Sequence, residues 1–213
     1  MNTTKKSLLP LVMFETNIIF DYFLGRDADV LLLSKLSQKQ IEIKIPDFVL
    51  MEFRGSILKE LGKKEYKLSF VRQLANELDR ADKWNNGTDS LRKGCELVAK
   101  DIDHLRSSVD VFIGEIRKQF TVETHSAEIH YKGDLRYVKG LPPAEPERGI
   151  QDCRVLEAIL EIGRADAENN NRERFFLTKD SDFNKGSVKE ELRAFGIEIV
   201  NSAGYLYGRF VAP

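Results

Sequence analysis

Short extended runs and helical patterns take turns at both ends of this chain, and that alternation constrains its fold more than any other feature. Leu8 to Phe14 reads as extended, Asn17 to Leu24 as helical, and Asp29 to Leu36 as helical around Leu31, Leu32 and Leu36. Ile41 to Ile45 is extended again, and Pro46 with Asp47 announces a helix with Asp47 as its N-cap. The last third repeats the theme. Gly149 precedes a helix from Ile150 to about Arg164, followed by a strand Arg174 to Thr178, a helix Ser187 to Phe195 stopped by Gly196, and a strand Ile197 to Val200. Strand and helix in turn predict an α/β fold on a parallel sheet flanked by helices.

Between these halves, Lys63 to Gln119 reads as two or three charge-rich helices broken at Asn85, Asn86 and Gly87. The expected organisation is one domain over residues 1–213 with a helical insert at 63–120, which suits a chain of 213 residues. From Thr121 to Pro146 the pattern fails, with Gly133, Gly140, Pro142, Pro143 and Pro146, so a long surface loop is expected, with one short strand near Leu135 to Val138. The 33 Lys plus Arg against 34 Asp plus Glu leave a net charge of -1, so any grip on nucleic acid has to come from a local patch. Cys95 and Cys153 form neither a disulfide framework nor a C-x-x-C pair, which points to a reducing compartment. The run Leu8 to Phe14 is interrupted by Pro10, closed by Glu15 and lacks a small-residue cleavage site. No stretch approaches the ~20 apolar residues of a spanning helix. A cytoplasmic protein without a membrane partner is the expectation.

Several acids sit where solvated surface residues do not belong. Glu15 directly follows an apolar strand, at the carboxyl end where open parallel sheets bind ligands. The strand Arg174 to Thr178 runs into Asp180 and Asp182, and in an extended chain these share a face with Thr178. Asp152 heads the apolar stripe Val155, Leu156 and Ile159, and Glu52 lies in the run Phe48 to Phe53 beside Gly55 and Ser56. N-caps and solvated loop acids explain any one of them singly. Gathered without a counterion, Glu15, Glu52, Asp152, Asp180 and Asp182 would repel one another strongly. A hard divalent cation such as Mg²⁺ or Mn²⁺ removes that conflict, because it prefers carboxylate oxygen and keeps waters for chemistry.

The segment Phe14-Glu15-Thr16-Asn17-Ile18-Ile19 resembles the opening Asp-Thr-Asn motif of the PIN domain family, metal-dependent nucleases with a Rossmann-like sheet. Glu52 is similar to the family's helix glutamate, and Asp152 in Gly149-Ile150-Gln151-Asp152 to its third acid. Leu177-Thr178-Lys179-Asp180-Ser181-Asp182-Phe183 is similar to its Thr-x-Asp-x-Asp segment. The motifs stand in family order at both ends of the chain. Glu15 departs from the family's usual Asp by one methylene. The interval from Glu52 to Asp152 is longer than in compact toxin-type members, which suggests a larger member whose insert adds substrate or partner surface.

The resemblance implies phosphodiester hydrolysis with one or two Mg²⁺ or Mn²⁺ ions that activate water and stabilise phosphate charge. It implies Glu15, Asp152 and Asp180 as direct ligands, Asp182 as a direct or water-mediated ligand, and Glu52 as a second ligand or water orienter. Thr16, Asn17 and Thr178 would hold carboxylates. Arg148 and Lys179 flank the acids and either meet the scissile phosphate or sit on the surface. RNA is the expected substrate, with DNA left open because nothing in the motifs reads a 2′-hydroxyl. A toxin with its antitoxin, or a defence effector with its partner protein, is the setting implied, and a homodimer stays open. The alternative is a PIN-like scaffold that binds RNA or protein with weak or no cleavage because Glu15 replaces Asp. A small-ester phosphohydrolase is disfavoured by the lack of Asp-x-Asp after the first strand.

Other signals carry less. His125 and His130 lie on different sides of either a helix or a strand, which argues against a shared zinc site. Cys153 reads as a small core residue, and Gly62-Lys63-Lys64 as a helix break rather than a phosphate loop. Lys59, Lys63, Lys64, Lys67 and Arg72, with Tyr66 and Phe70 among them, either track a nucleic-acid backbone or form a solvated helix face. Phe175, Phe176, Phe183 and Phe195 read as core, and Trp84 either caps a helix junction or stacks a base.

Overall fold

The computed structural model describes residues 8–80, 85–144 and 149–210. Its strands are β1 Leu11–Phe14, β2 Glu42–Pro46, β3 Thr121–Glu123, β4 Arg174–Leu177 and β5 Ile197–Val200. Its helices are α1 Thr16–Leu24, α2 Ala28–Gln40, α3 Asp47–Arg80, α4 Asn85–Gln119, α5 Ala127–Val138, α6 Ile150–Asn169, α7 Gly186–Ala194 and α8 Ala203–Phe210. All strand pairs are parallel, in the order β3-β2-β1-β4-β5, which is the α/β architecture the alternation predicts. Every side chain of β1 and β4 is buried. Helices cover both faces of such a sheet, which is why its central strands are continuous apolar runs rather than alternating ones.

The order places a topological switch point between β1 and β4, because β2 lies on one side of β1 and β4 on the other. Phe14 pairs with Leu177, so the chain leaves both strands side by side at their carboxyl ends, into Glu15 and Thr178. At the opposite end of the sheet a buried charge network joins the elements. Asp166 on α6 accepts from Arg172 and from Arg174 Nε at 2.7 Å, and Arg172 also reaches the Leu9 carbonyl and Glu42.

The chain divides into two compact units, Met1–Phe53 with Arg117–Pro213, and Arg54–Ile116. The second unit thus starts within α3 at Arg54, before Lys63. In it α3 and α4 run antiparallel, with ion pairs Arg54–Asp110, Glu65–Arg106 and Asp79–Arg92. Cys95, Ile102, Val109 and Ile116 recur every seven residues on the buried seam of α4. The break expected at Gly62 does not occur, for α3 passes through it. A helical glycine costs only ~1 kcal/mol, and the buried residues Ile57, Leu61 and Ala75 continue across the position.

The expected loop from Thr121 is instead β3 and α5, and Leu135 to Val138 forms the last turn of that helix. Gly133 there is a point of close approach. A Cβ on it would lie 2.7 Å from Cα of Arg154, so α5 and α6 pack backbone to backbone. Arg136, buried one turn later, donates to Glu157, Glu191 and the Pro142 carbonyl. Asp47, expected as an N-cap, is the first residue of α3, and its Oδ1 is buried without a hydrogen-bond partner. The helix α8, packed against α2, has no counterpart in the sequence reading. Phe195 is half-buried under the Arg164 guanidinium, unlike the fully buried Phe175, Phe176 and Phe183. Trp84 and Arg148 lie outside the described residues.

Candidate metal centre

The site is built on the ends of β1 and β4. Three residues beyond β4 the chain enters a 3-10 turn, Ser181–Asn184, with Asp180 as its N-cap. The main-chain N–H of Asp180 donates to Thr178 Oγ1 at 3.0 Å, and Asp180 Oδ1 accepts from the N–H of Asp182 at 2.8 Å. This turn, rather than the alternation of an extended strand, gathers the two aspartates. It swings Asp182 back toward Asp180, and Phe183 anchors it by packing edge-on to Phe176.

The third acid, Asp152, lies in the first turn of α6. Val155, Leu156 and Ile159 bury the same side of that helix and so aim Asp152 at the sheet end. One carboxylate oxygen from each of Asp152, Asp180 and Asp182 lies within 4.8 Å of the others. Among the described residues no other group of three acids, histidines or cysteines is gathered in this way. His125 and His130 instead both lie against the Phe48 ring.

Glu15, expected as a direct ligand, stands beside this cluster and outside the group of three. Its Oε1 accepts the main-chain N–H of Lys179 at 2.9 Å, and the Thr178 and Asn17 side chains also bond it. Burial, with a smaller contribution from the charge of Asp180, raises its carboxyl to about 7. Thr16 turns the other way and donates its hydroxyl to Glu52 Oε2. Burial raises the Glu52 carboxyl also. The Asp152 carboxyl rises to about 6, first through burial and then through the charges of Asp180, Glu52 and Asp182.

The Lys179 ammonium is held between Asp21 and Asp27, 2.6 Å from each, so it is the residue's main-chain N–H that meets the site. Lys185, which the sequence reading passed over, is the cation at the cluster, 3.1 Å from Asp182. Its position just after the acidic turn was the available signal. Lys63, Lys64 and Lys67 are exposed on α3 in the second unit.

Three carboxylates, one ammonium and strongly raised acids describe a place short of positive charge. The donors are all hard oxygens, so the residues fit a divalent cation of the Mg²⁺ or Mn²⁺ kind. The same shifts predict an unusual pH dependence for the protein in chelator. Glu15 and Asp152 keep protons in the folded state that the unfolded chain releases near pH 4.5 and 3.8. Their contribution is complete below those values and is lost as pH rises through about 7 for Glu15 and about 6 for Asp152. Thermal melts in chelator should therefore show stability falling from pH 5 to pH 7.5, with a rise over that range contradicting the protonated acids.

No curated protein and no solved structure matches the chain. A family model, that of the PIN domain, matches residues 12–183, a stretch that contains all five acids, from Glu15 to Asp182. PIN domains are generally nucleases and typically use divalent metals. With the match spanning most of its length and the acids converging at the switch point of a parallel sheet, the chain belongs to the PIN domain family.

Proposed function

We propose that the protein is an endoribonuclease that hydrolyses RNA phosphodiesters with Mg²⁺ or Mn²⁺ held by Asp152, Asp180 and Asp182. The observation that carries the reading is the convergence of these three carboxylates at the β1/β4 switch point. When bound, the ion supplies an activated water and neutralises charge on the phosphate oxygens. Asp180 and Asp182 are held ready by their own turn, so little reorganisation is needed there. Glu52, tied through Oε2 to Thr16, offers Oε1 to orient a water. Glu15 fixes the main chain at Lys179 and thereby the entry into Asp180. Lys63, Lys64 and Lys67 on α3 are read as further phosphate contacts, on their charge and exposure alone. A toxin or defence effector, held by a partner protein in the cytoplasm, is the setting we attach to this reading, on the motif resemblance. Among the described residues no helix is long and apolar enough to cross a membrane.

One observation favours the scaffold alternative, namely that Glu15 stands apart from the three-acid group. Cleavage of single-stranded RNA by the natural chain and by Glu15→Asp, each in Mn²⁺ and in chelator, separates the readings. The natural chain should cut in Mn²⁺ only. Glu15→Asp draws the carboxylate away from the Lys179 N–H and should lose roughly tenfold to a hundredfold in rate. An inert natural chain beside an active Glu15→Asp would establish the scaffold instead.

A further inference from the structure

We infer that the flank of α7 facing β5 is a rail for a single-stranded nucleic-acid backbone, with Lys185, Lys189 and Arg193 as its phosphate contacts. The inference rests on the nuclease reading of the acid cluster, because it names the path of the strand away from that cluster. Val188 and Leu192 are fully buried and fix the rotation of α7. Residues 185, 189 and 193 then follow one another along one flank, while Glu191 lies on the other flank, where Arg136 engages it. Four residues of helix advance about 6 Å. That is the scale on which phosphates recur along an extended single strand.

A groove of about 380 Å³ runs beside these cations, lined by Asn184, Lys189 and Arg193 on one side and by Gly196 to Ile199 on the other. Asn184 in its lining closes the same turn that carries Asp182, and Lys185, next in the chain, touches both Asp182 and the Pro143 carbonyl. Its far wall is β5, an edge strand that pairs with β4 alone. Among the described residues Lys189 and Arg193 make no ion pair, although most arginines of this chain do. The acid in the groove wall, Glu198, has Arg209 at 3.9 Å. Two cations without ion pairs among the described residues, in a concave surface that includes the last residue of the turn carrying Asp182, are placed to take a polyanion, and their regular spacing suits a backbone more than a single phosphate.

The test is fluorescence anisotropy with labelled 12-nucleotide single-stranded RNA and single-stranded DNA in chelator, over a range of salt. The natural chain of residues 1–213 is compared with Lys189→Glu/Arg193→Glu and with Lys189→Gln/Arg193→Gln, the second pair guarding against misfolding of the first. Affinity should fall at least tenfold at low salt. The slope of log affinity against log salt should flatten by roughly 1.4, at about 0.7 per phosphate contact removed. The loss should be the same for RNA and DNA, because the contacts are to phosphates. Unchanged affinity and slope in either folded pair overturns the rail, as does a loss confined to one nucleic acid. Retained RNA binding with lost binding of a glutamate-rich peptide would make the groove a protein site and also overturn it. Cleavage of single-stranded RNA by the natural chain in Mn²⁺ against chelator reads the nuclease assignment separately, so its failure counts against that assignment while the anisotropy still decides the rail.

Discussion

Replacing Asp152 by Asn is expected to remove metal-dependent RNA cleavage while raising the melting temperature of the protein in chelator. The two effects have opposite signs and one cause. Burial at the head of α6 and the charges of Asp180, Glu52 and Asp182 push the Asp152 carboxyl up to about 6, with Lys185 the favourable neighbour. At neutral pH the metal-free fold thus carries a charge that its surroundings oppose, and asparagine keeps the shape without the charge. One pKa unit corresponds to about 1.4 kcal/mol, so the gain in chelator is on the order of 1–3 kcal/mol. It is reduced by about 0.5 kcal/mol because a negative charge in the first turn of a helix is itself favourable. Cleavage should fall at least about a hundredfold, the scale found even for groups that only support metal ligands. Melts and RNA cleavage on the same preparation check both halves. A variant that is less stable in chelator would mean that the Asp152 carboxylate holds the fold rather than burdening it.

Asp166→Asn should have the opposite character, a large loss of stability. Asp166, Arg172 and Arg174 are all at least nine-tenths buried as side chains, and both guanidinium groups donate to the one carboxylate. Removing its charge leaves Arg174 without an ionic partner and Arg172 with Glu42 alone. Breaking a buried charge network on one side costs about 3–5 kcal/mol, and for a chain of this size that is roughly 10 °C in melting temperature. The arginines hold the Asp166 carboxyl below its usual range. Its contribution is therefore complete at neutral pH and is lost only as pH falls through that lowered value. Denaturant titration at pH 7 tests this, with a loss under ~1 kcal/mol showing that water reaches the cluster and screens it.

The parts of this molecule that were legible in its sequence are those where local pattern and burial agree. The runs Leu8 to Phe14 and Arg174 to Thr178 could be read as strands of a parallel sheet because their apolar stretches, Leu11 to Phe14 and Arg174 to Leu177, are the ones that the sheet buries. Asp152, Asp180 and Asp182 stood out because each sits at a strand end or on an apolar stripe. Other features depend on partners that no local window shows. Gly133 looks like a helix breaker until Arg154 is seen against it, and Gly62 looks like one until the apolar seam is followed across it. The Lys179 main chain that meets Glu15, and Asp21 and Asp27 that hold the Lys179 ammonium, come from residues far away in sequence, so no local window shows these contacts. Lys185 escaped notice because a lysine after an acidic turn is unremarkable until its distance to Asp182 is known.

Divalent-ion titration followed by thermal unfolding tests the central claim, that Asp152, Asp180 and Asp182 form a metal site, without needing a substrate. The natural chain should gain stability with Mn²⁺ or Mg²⁺, by about 2.7 kcal/mol at a hundred times the dissociation constant, and Asp152→Asn should lose most of that gain. No shift of the natural chain at millimolar metal, or an equal shift in Asp152→Asn, would contradict it.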